Sequence, residues 1–165
     1  MELDDLNRRI LSELQSDASL TNLALSQRVH ASAPTCLRRV KRLIAERIIE
    51  RQVAIVSAHA LGASLTAIIE VTLISQAAER LAEFEHRVAL EAEIQQCYRV
   101  TPSPDFVLIA LLRDMSAYHA LAHRLLTGQA QVRNVRSFFS THRSKFETRV
   151  PWTVAAAKVA PLRSN

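Results

Sequence analysis

Glycine and cysteine are both scarce in this chain, with two of each among 165 residues. Cys36 and Cys97 lie far apart and match no metal-ligand spacing, which argues against a disulfide framework and a zinc site. The chain has no glycine-rich phosphate loop, no Gly-x-Ser-x-Gly elbow and no His-Glu-x-x-His motif. His119 and His123 could share one helix face, but no third metal ligand follows at usable spacing. We therefore predict no enzymatic activity, no metal and no cofactor.

Long apolar runs are also absent, since none approaches the ~20 residues that a membrane-spanning helix requires. The chain begins Met-Glu-Leu-Asp-Asp, which is acidic and lacks the basic start and apolar core of a signal peptide. The sequence therefore predicts a soluble, cytoplasmic protein without a membrane partner. An apolar fraction of 48% is that of a globular chain.

Positive charge is plentiful, with a formal net charge of +5, and it is concentrated between residues 28 and 51. Ser32 suits a helix N-cap and Pro34 a first turn, which predicts a helix from Ser32 to about Glu46. Helical spacing gives this helix one apolar face, formed by Leu37, Val40, Leu43 and Ile44. The opposite face would then carry Thr35, Arg38, Arg39 and Arg42.

Such a basic helix suits the major groove of double-stranded DNA, because arginine binds guanine bidentately or grips phosphate. The small residues Ser32 and Thr35 in its first turn would let the backbone approach the DNA closely. The alternative is an ordinary solvated helix face, which is common for an isolated basic run.

The preceding residues favour DNA binding, because they predict two more short helices. Asp4 or Asp5 can cap a first helix that ends near Asp17, and Thr21 can cap a second one. A tight turn from His30 to Ala33 then leads into the basic helix, which makes a helix-turn-helix unit over residues 1–50. Residues 48–56 partly alternate and predict a strand or a two-stranded wing, with Arg51 near the DNA backbone. Residues 51–64 form the predicted wing and hinge linker.

The second domain, predicted over residues 65–150, has a different pattern. Apolar, β-branched segments predict strands at 66–74, 94–101, 105–112 and 132–141, with helices at 77–90 and 116–126. The order βαββαβ is that of a ferredoxin-like antiparallel sheet with both helices on one face. The fold class is therefore α+β. The open sheet face predicts a homodimer, and residues 151–165 are a C-terminal tail.

Three short stretches resemble the Lrp/AsnC family of transcription regulators: Leu3-Asp4-x-x-Asn7-x-x-Ile10-Leu11, the Ser32–Leu43 helix with its cysteine, and Asp114-Met115-Ser116-Ala117-Tyr118. The resemblance extends to about residue 150. It implies a winged helix-turn-helix domain, a hinge strand and a ferredoxin-like ligand-sensing domain. It also implies dimers that assemble into tetramers or octamers, and an amino-acid effector bound between dimers.

Two departures from the family pattern carry predictions. His30 stands where the family usually has glycine, so this position must tolerate a side chain, with a positive φ angle as one solution. The loop between the middle strands has Pro102-Ser103 where the family commonly has Gly-Asp. Thr101, Ser103 and Asp105 remain as effector-binding residues, and we predict no response to ordinary α-amino acids or a response to a different small molecule.

Two other functions are compatible with these patterns. One is an oligomeric ferredoxin-like protein that binds a small molecule and uses the basic helix only as surface. The other is a DNA-compacting protein with weak sequence preference. A steep salt dependence of DNA binding would argue against the first, and competition with bulk DNA would test the second.

Overall fold

A computed structural model describes residues 3–127 and 131–151. Its contacts divide the chain into two compact units. One unit consists of Met1–Ile55 together with the segment that begins at Lys145, and the other is Val56–Ser144. The predicted limits 65–150 count residues 145–150 with the sheet domain, whereas their contacts are with the N-terminal unit. Of the predicted tail, residues 152–165 lie outside the described residues.

The N-terminal unit is built from three helices, each of which begins at a side-chain cap. These helices are α1 (Asp5–Ser16), α2 (Asn22–Arg28) and α3 (Ala33–Ala45). The N-cap side chains of Asp4, Thr21 and Ser32 accept hydrogen bonds from backbone N–H groups in the first turns. The predicted helix-turn-helix is confirmed, and its core is formed mainly by Ile10, Leu11, Leu25, Val29, Cys36 and Leu43.

The turn before α3 takes one of the backbone geometries that the sequence left open. His30 lies in the left-handed region with φ 53°, a conformation that glycine adopts more easily than other residues. The turn is held by the Asn22 side-chain amide, which donates a 2.8 Å hydrogen bond to the Ala33 carbonyl. The chain therefore makes this tight turn without glycine.

The strand or wing predicted over residues 48–56 is wrong for this chain. Ile48 and Ile49 turn back onto the core of the N-terminal unit after Arg47, which has φ 53°. Residues 51–57 are exposed and carry no strand, because no neighbouring segment of the described chain pairs with their backbone. Arg51 is thus exposed but lies on irregular backbone.

The second unit confirms the predicted βαββαβ order. Its elements are β1 (Leu65–Leu73), α4 (Ala78–Ala89), β2 (Ile94–Arg99), β3 (Phe106–Leu112), α5 (Met115–Leu121) with a π-helical continuation (Ala122–Thr127), and β4 (Val132–Phe139). The strand order is β2-β3-β1-β4, and all three neighbouring pairs are antiparallel. This is the ferredoxin-like topology.

Alternate residues of the two central strands face the helices. In β1 the odd-numbered residues from Ala67 to Leu73 are buried, and in β3 the even-numbered residues from Phe106 to Leu112 are buried. Phe84 of α4 meets Phe106 with ring centroids 4.8 Å apart. The opposite face of the sheet is only partly covered, since Ile68 is 37% and Phe138 44% exposed.

Candidate DNA interface and ligand cleft

Helix α3 packs through a face that only partly matches the one that the sequence predicts. Cys36 and Leu43 are fully buried, whereas Leu37 and Ile44 are 46% and 45% exposed. Cys36, Val40 and Leu43 recur at four- and three-residue spacing and form the packing face. The predicted apolar face is therefore rotated from the observed one.

This rotation moves Arg39 away from the exposed face. Arg39 follows Cys36 by three residues, so it lies at the edge of the core and is 27% exposed. Its guanidinium pairs with the Asp4 carboxylate at 2.6 Å, which joins α3 to the N-cap of α1. Placing Arg39 opposite the core was wrong, because residue spacing alone does not show which neighbouring helix the face contacts.

The same Asp4 carboxylate caps α1, and both contacts affect its acidity. The backbone N–H of Asn7 donates to it at 2.8 Å, and this bond followed by Arg39 holds the pKa of Asp4 below its usual value. Asp4 is thus a charged link between two helices of the unit.

The exposed face of α3 is formed by other basic residues. Arg38, Lys41 and Arg42 are all exposed, and Arg42 donates to Glu46 on the next turn at 2.6 Å. In the described part of the chain no carboxylate pairs with Arg38 or Lys41. Lys41 was absent from the predicted DNA-binding residues, although its spacing of three from Arg38 places both on one face.

Ser32 and Thr35 lie together at the N-terminus of α3. The Ser32 hydroxyl donates to the Thr35 hydroxyl at 2.8 Å, and the Thr35 backbone N–H donates to Ser32 Oγ at 3.4 Å. These hydroxyls therefore form one polar group at the positive end of the helix, where a phosphate binds favourably.

A small cleft of about 120 Å³ lies on the open face of the sheet. It is lined by Glu70, Thr72, Ser103, Pro104, Asn134 and Arg136. The cross-strand register places Glu70 opposite Arg136 and Thr72 opposite Asn134, and Arg136 Nη1 lies 3.3 Å from Glu70 Oε2. The cleft therefore combines an ion pair, an amide and two hydroxyl groups.

Only one of the three predicted effector residues lines this cleft. Ser103 does so, whereas Thr101 is exposed and absent from the lining. Asp105 is buried, and its carboxylate accepts a 2.7 Å hydrogen bond from the backbone N–H of Leu73. The register of β1 and β4 shifts beside Leu73, so Asp105 satisfies a backbone donor at an irregular point of the sheet.

Sequence reasoning missed the strand residues of the cleft. Glu70 and Thr72 alternate along β1, as Asn134 and Arg136 do along β4, and this period places each pair on one sheet face. The alternation was visible in the sequence, but the pairing of β1 with β4 depends on topology.

Two further observations concern the described residues. No group of three or more His, Cys, Asp or Glu side chains there could hold a metal ion. No helix in residues 3–127 or 131–151 is long and apolar enough to cross a membrane.

A helix-turn-helix with an exposed basic helix, joined to a ferredoxin-like domain with a polar cleft, defines a DNA-binding regulator with a ligand-binding domain. Residues 3–50 match the model of winged helix-turn-helix DNA-binding domains, and residues 66–150 match the Lrp/AsnC ligand binding domain. The chain belongs to the Lrp/AsnC family of transcription regulators.

Similar proteins match this chain over most of its length. The chain is 36% identical to an HTH-type transcriptional regulator of Haemophilus influenzae, over 88% of this chain and 87% of the relative. It is also 36% identical to the leucine-responsive regulatory protein of Escherichia coli, over 83% and 84% of the two chains. A transcriptional regulator from Neisseria meningitidis, solved with L-Met, superposes with a TM-score of 0.85 at 31% identity over 90% and 96%. The feast or famine regulatory protein of M. tuberculosis, complexed with L-methionine, gives 0.78 at 26% identity over 90% and 98%.

Proposed function

We propose that the exposed face of α3 reads DNA through Arg38, Lys41 and Arg42, with Ser32 and Thr35 binding a phosphate at the helix N-terminus. The observation that carries this proposal is the cluster of exposed cations on the face opposite Cys36 and Leu43. Arg51 is a secondary phosphate contact on the exposed segment that follows. We place the protein in the cytoplasm, because a transcription regulator must be in the same compartment as the DNA that it binds.

Arg39 has a different part in this proposal. Its guanidinium already binds Asp4, so a direct contact with a base would require it to leave that ion pair. We assign Arg39 to the positioning of α3 on α1. Replacing Arg39 should then destabilise the DNA-binding unit and lower DNA affinity for that reason.

A matched pair of variants tests this division. Arg38→Ala should cost about 1–3 kcal/mol of specific binding, measured on a duplex that the protein selects from a random pool. Lys41→Ala should reduce the salt slope of binding by about 1. Arg39→Ala should lower the free energy of unfolding and weaken binding less than Arg38→Ala. If Arg39→Ala leaves stability unchanged but abolishes specific binding, the reading face has been misassigned.

The open face of the sheet supports a dimer. Ile68 and Phe138 are adjacent partners in the β1–β4 register, and Val107 and Ile109 continue the apolar surface on β3. An apolar surface of this kind is buried in oligomers, and a two-fold dimer would place two α3 helices on half-sites about one DNA turn apart. Tetramers or octamers would follow from further contacts between dimers.

Light scattering tests the dimer directly. The wild-type protein should be dimeric or larger at micromolar concentration, and Phe138→Arg should shift it toward the monomer. Leu90→Arg, which changes an exposed leucine at the end of α4, is the control and should leave the mass unchanged. A monomeric wild-type protein would contradict the proposal.

The cleft on the sheet is the proposed effector site, with Arg136 and Asn134 as its recognition groups. Glu70 already neutralises Arg136, so an ordinary zwitterionic amino acid gains little by exchanging this ion pair for two new ones. Two prolines in the adjoining loop also remove backbone donors, at Pro102 and Pro104. We therefore predict that common α-amino acids bind weakly or not at all.

Calorimetry with a panel of amino acids tests this prediction. The panel includes L-methionine and L-leucine, because similar regulators are solved with L-methionine. Micromolar binding that Arg136→Gln abolishes would confirm the cleft and contradict the predicted ligand preference. Micromolar binding that Arg136→Gln leaves intact would contradict both.

A further inference from the structure

The segment Lys145–Pro151, here called the C-terminal strap, lies against helix α1. Arg149 Nη2 donates to Ser12 Oγ at 2.8 Å and to the Ser12 carbonyl at 3.3 Å. The backbone N–H of Val150 donates to Gln15 Oε1 at 2.7 Å. These contacts join residues that are 137 and 135 positions apart in sequence.

The strap supplies a charge that α1 itself lacks. The last turn of α1 has no basic residue, although a cation near a helix C-terminus interacts favourably with the helix dipole. Arg149 brings its guanidinium to this end of the helix. A hydrogen bond from the Arg149 backbone N–H to Glu147 Oε1, at 3.1 Å, folds the strap locally.

The strap also gives the DNA-binding unit a second covalent connection. The chain leaves this unit after Ile55 to enter the sheet domain, and it returns at Lys145 after β4. The strap residues are exposed, so its contacts with α1 can be released without disturbing a core. A unit held by two chain segments has fewer accessible positions than one held by a single flexible segment.

We propose that the C-terminal strap is a releasable second tether, which makes the assembled regulator selective for the spacing between DNA half-sites. With the strap bound, both DNA-binding units of a dimer are restrained at two points. With the strap released, each DNA-binding unit is connected to the sheet domain only through the exposed segment 51–57. It then tolerates a wider range of spacings between half-sites. This inference rests on the proposed dimer.

Two measurements on the full-length protein test the tether. In hydrogen exchange, Arg149→Ala should speed the exchange of the amides in the last turn of α1 several-fold. In binding assays, wild-type protein should prefer its selected duplex over one with ~5 bp inserted between the half-sites, since this turns one site to the opposite side of the DNA. Arg149→Ala should reduce this preference several-fold.

Lys145→Ala is the matched control, because it removes a positive charge from the same exposed segment without touching the contacts to α1. It should retain wild-type exchange and spacing preference. Unchanged exchange in Arg149→Ala would contradict the contact of Arg149 with α1, on which the tether rests. Faster exchange with an unchanged spacing preference would overturn the tether. A wild-type protein indifferent to spacing would overturn the proposed dimer and the tether together.

Discussion

The two units of this regulator are stabilised in different ways. Each helix of the DNA-binding unit begins with a cap whose donor and acceptor are three residues apart, as between Asp4 and Asn7. In the sheet domain the decisive contacts join distant residues, such as Asp105 and Leu73, which are 32 positions apart. The comparison shows that local sequence sets where the helices of the DNA-binding unit begin, whereas the contacts that complete the sheet domain depend on its topology.

The largest expected effect lies in the core of the sheet domain. Phe84 is fully buried and packs on Phe106 at 4.8 Å, so Phe84→Ala should cost about 3–5 kcal/mol of unfolding free energy. Chemical denaturation followed by circular dichroism measures this loss. Leu90→Ala, at a 74% exposed position, is the control and should change stability by less than about 0.5 kcal/mol. Equal effects of the two changes would contradict the assigned core.

A substitution at Asp105 tests whether its buried carboxylate serves the fold, through the contact with Leu73, or binds an effector. Asp105→Ala should leave the buried N–H of Leu73 without its acceptor, which costs about 1–3 kcal/mol of stability. Ser103→Ala, at an exposed position of the same loop, should be nearly neutral. Thermal denaturation compares the two variants. If Asp105→Ala keeps the stability of the wild type but loses effector binding, Asp105 belongs to the effector site.

Asp4 provides the corresponding test of local structure in the DNA-binding unit. Asp4→Ala removes the N-cap of α1 and the ion pair with Arg39, and should cost about 1 kcal/mol. The loss should appear as faster hydrogen exchange in α1, with the sheet domain unchanged. Faster exchange in β1 as well would show that the units are more strongly coupled than their separate cores indicate.

The smallest expected effect of this series is the pH dependence that the same carboxylate contributes. The folded-state pKa of Asp4 lies below its usual value of 3.8, so its stabilisation is complete above that value. It is lost as the pH falls through the lowered pKa, because Asp4 then becomes neutral. Asp4→Asn retains a capping side chain and removes the charge, so it should cost about 0.3 kcal/mol near neutral pH. The difference between wild type and variant in acid titration should vanish at low pH.

The reach of sequence-based prediction follows the same division. The caps at Thr21 and Ser32 were predicted correctly because each depends on neighbouring residues, and His30 adopts the positive φ that the sequence left open as one solution. The packing face of α3 was predicted only in part, since Leu37 and Cys36 are both compatible with helical spacing. The choice between them depends on how α3 meets α1 and α2.

In the sheet domain, the sequence predicts the elements but not the polar site that they form. Strand positions and the βαββαβ order were predicted correctly, because the apolar periodicity of each element is strong. The cleft was not predicted, since Glu70 and Arg136 meet only after β1 has paired with β4. Local patterns thus identified the elements, and only the register showed which polar groups they bring together.

The left-handed conformation of His30 implies that a single substitution at this position can increase the stability of the protein. Holding a non-glycine residue in this conformation costs about 1–2 kcal/mol, and glycine in the unfolded chain costs about 0.5–1 kcal/mol in entropy. His30→Gly should therefore raise the melting temperature slightly, with a net gain of about 0.5–1 kcal/mol, the difference of these terms. With histidine at this position the DNA-binding unit is less stable than its fold allows. A single substitution would therefore make the unit more resistant to heat.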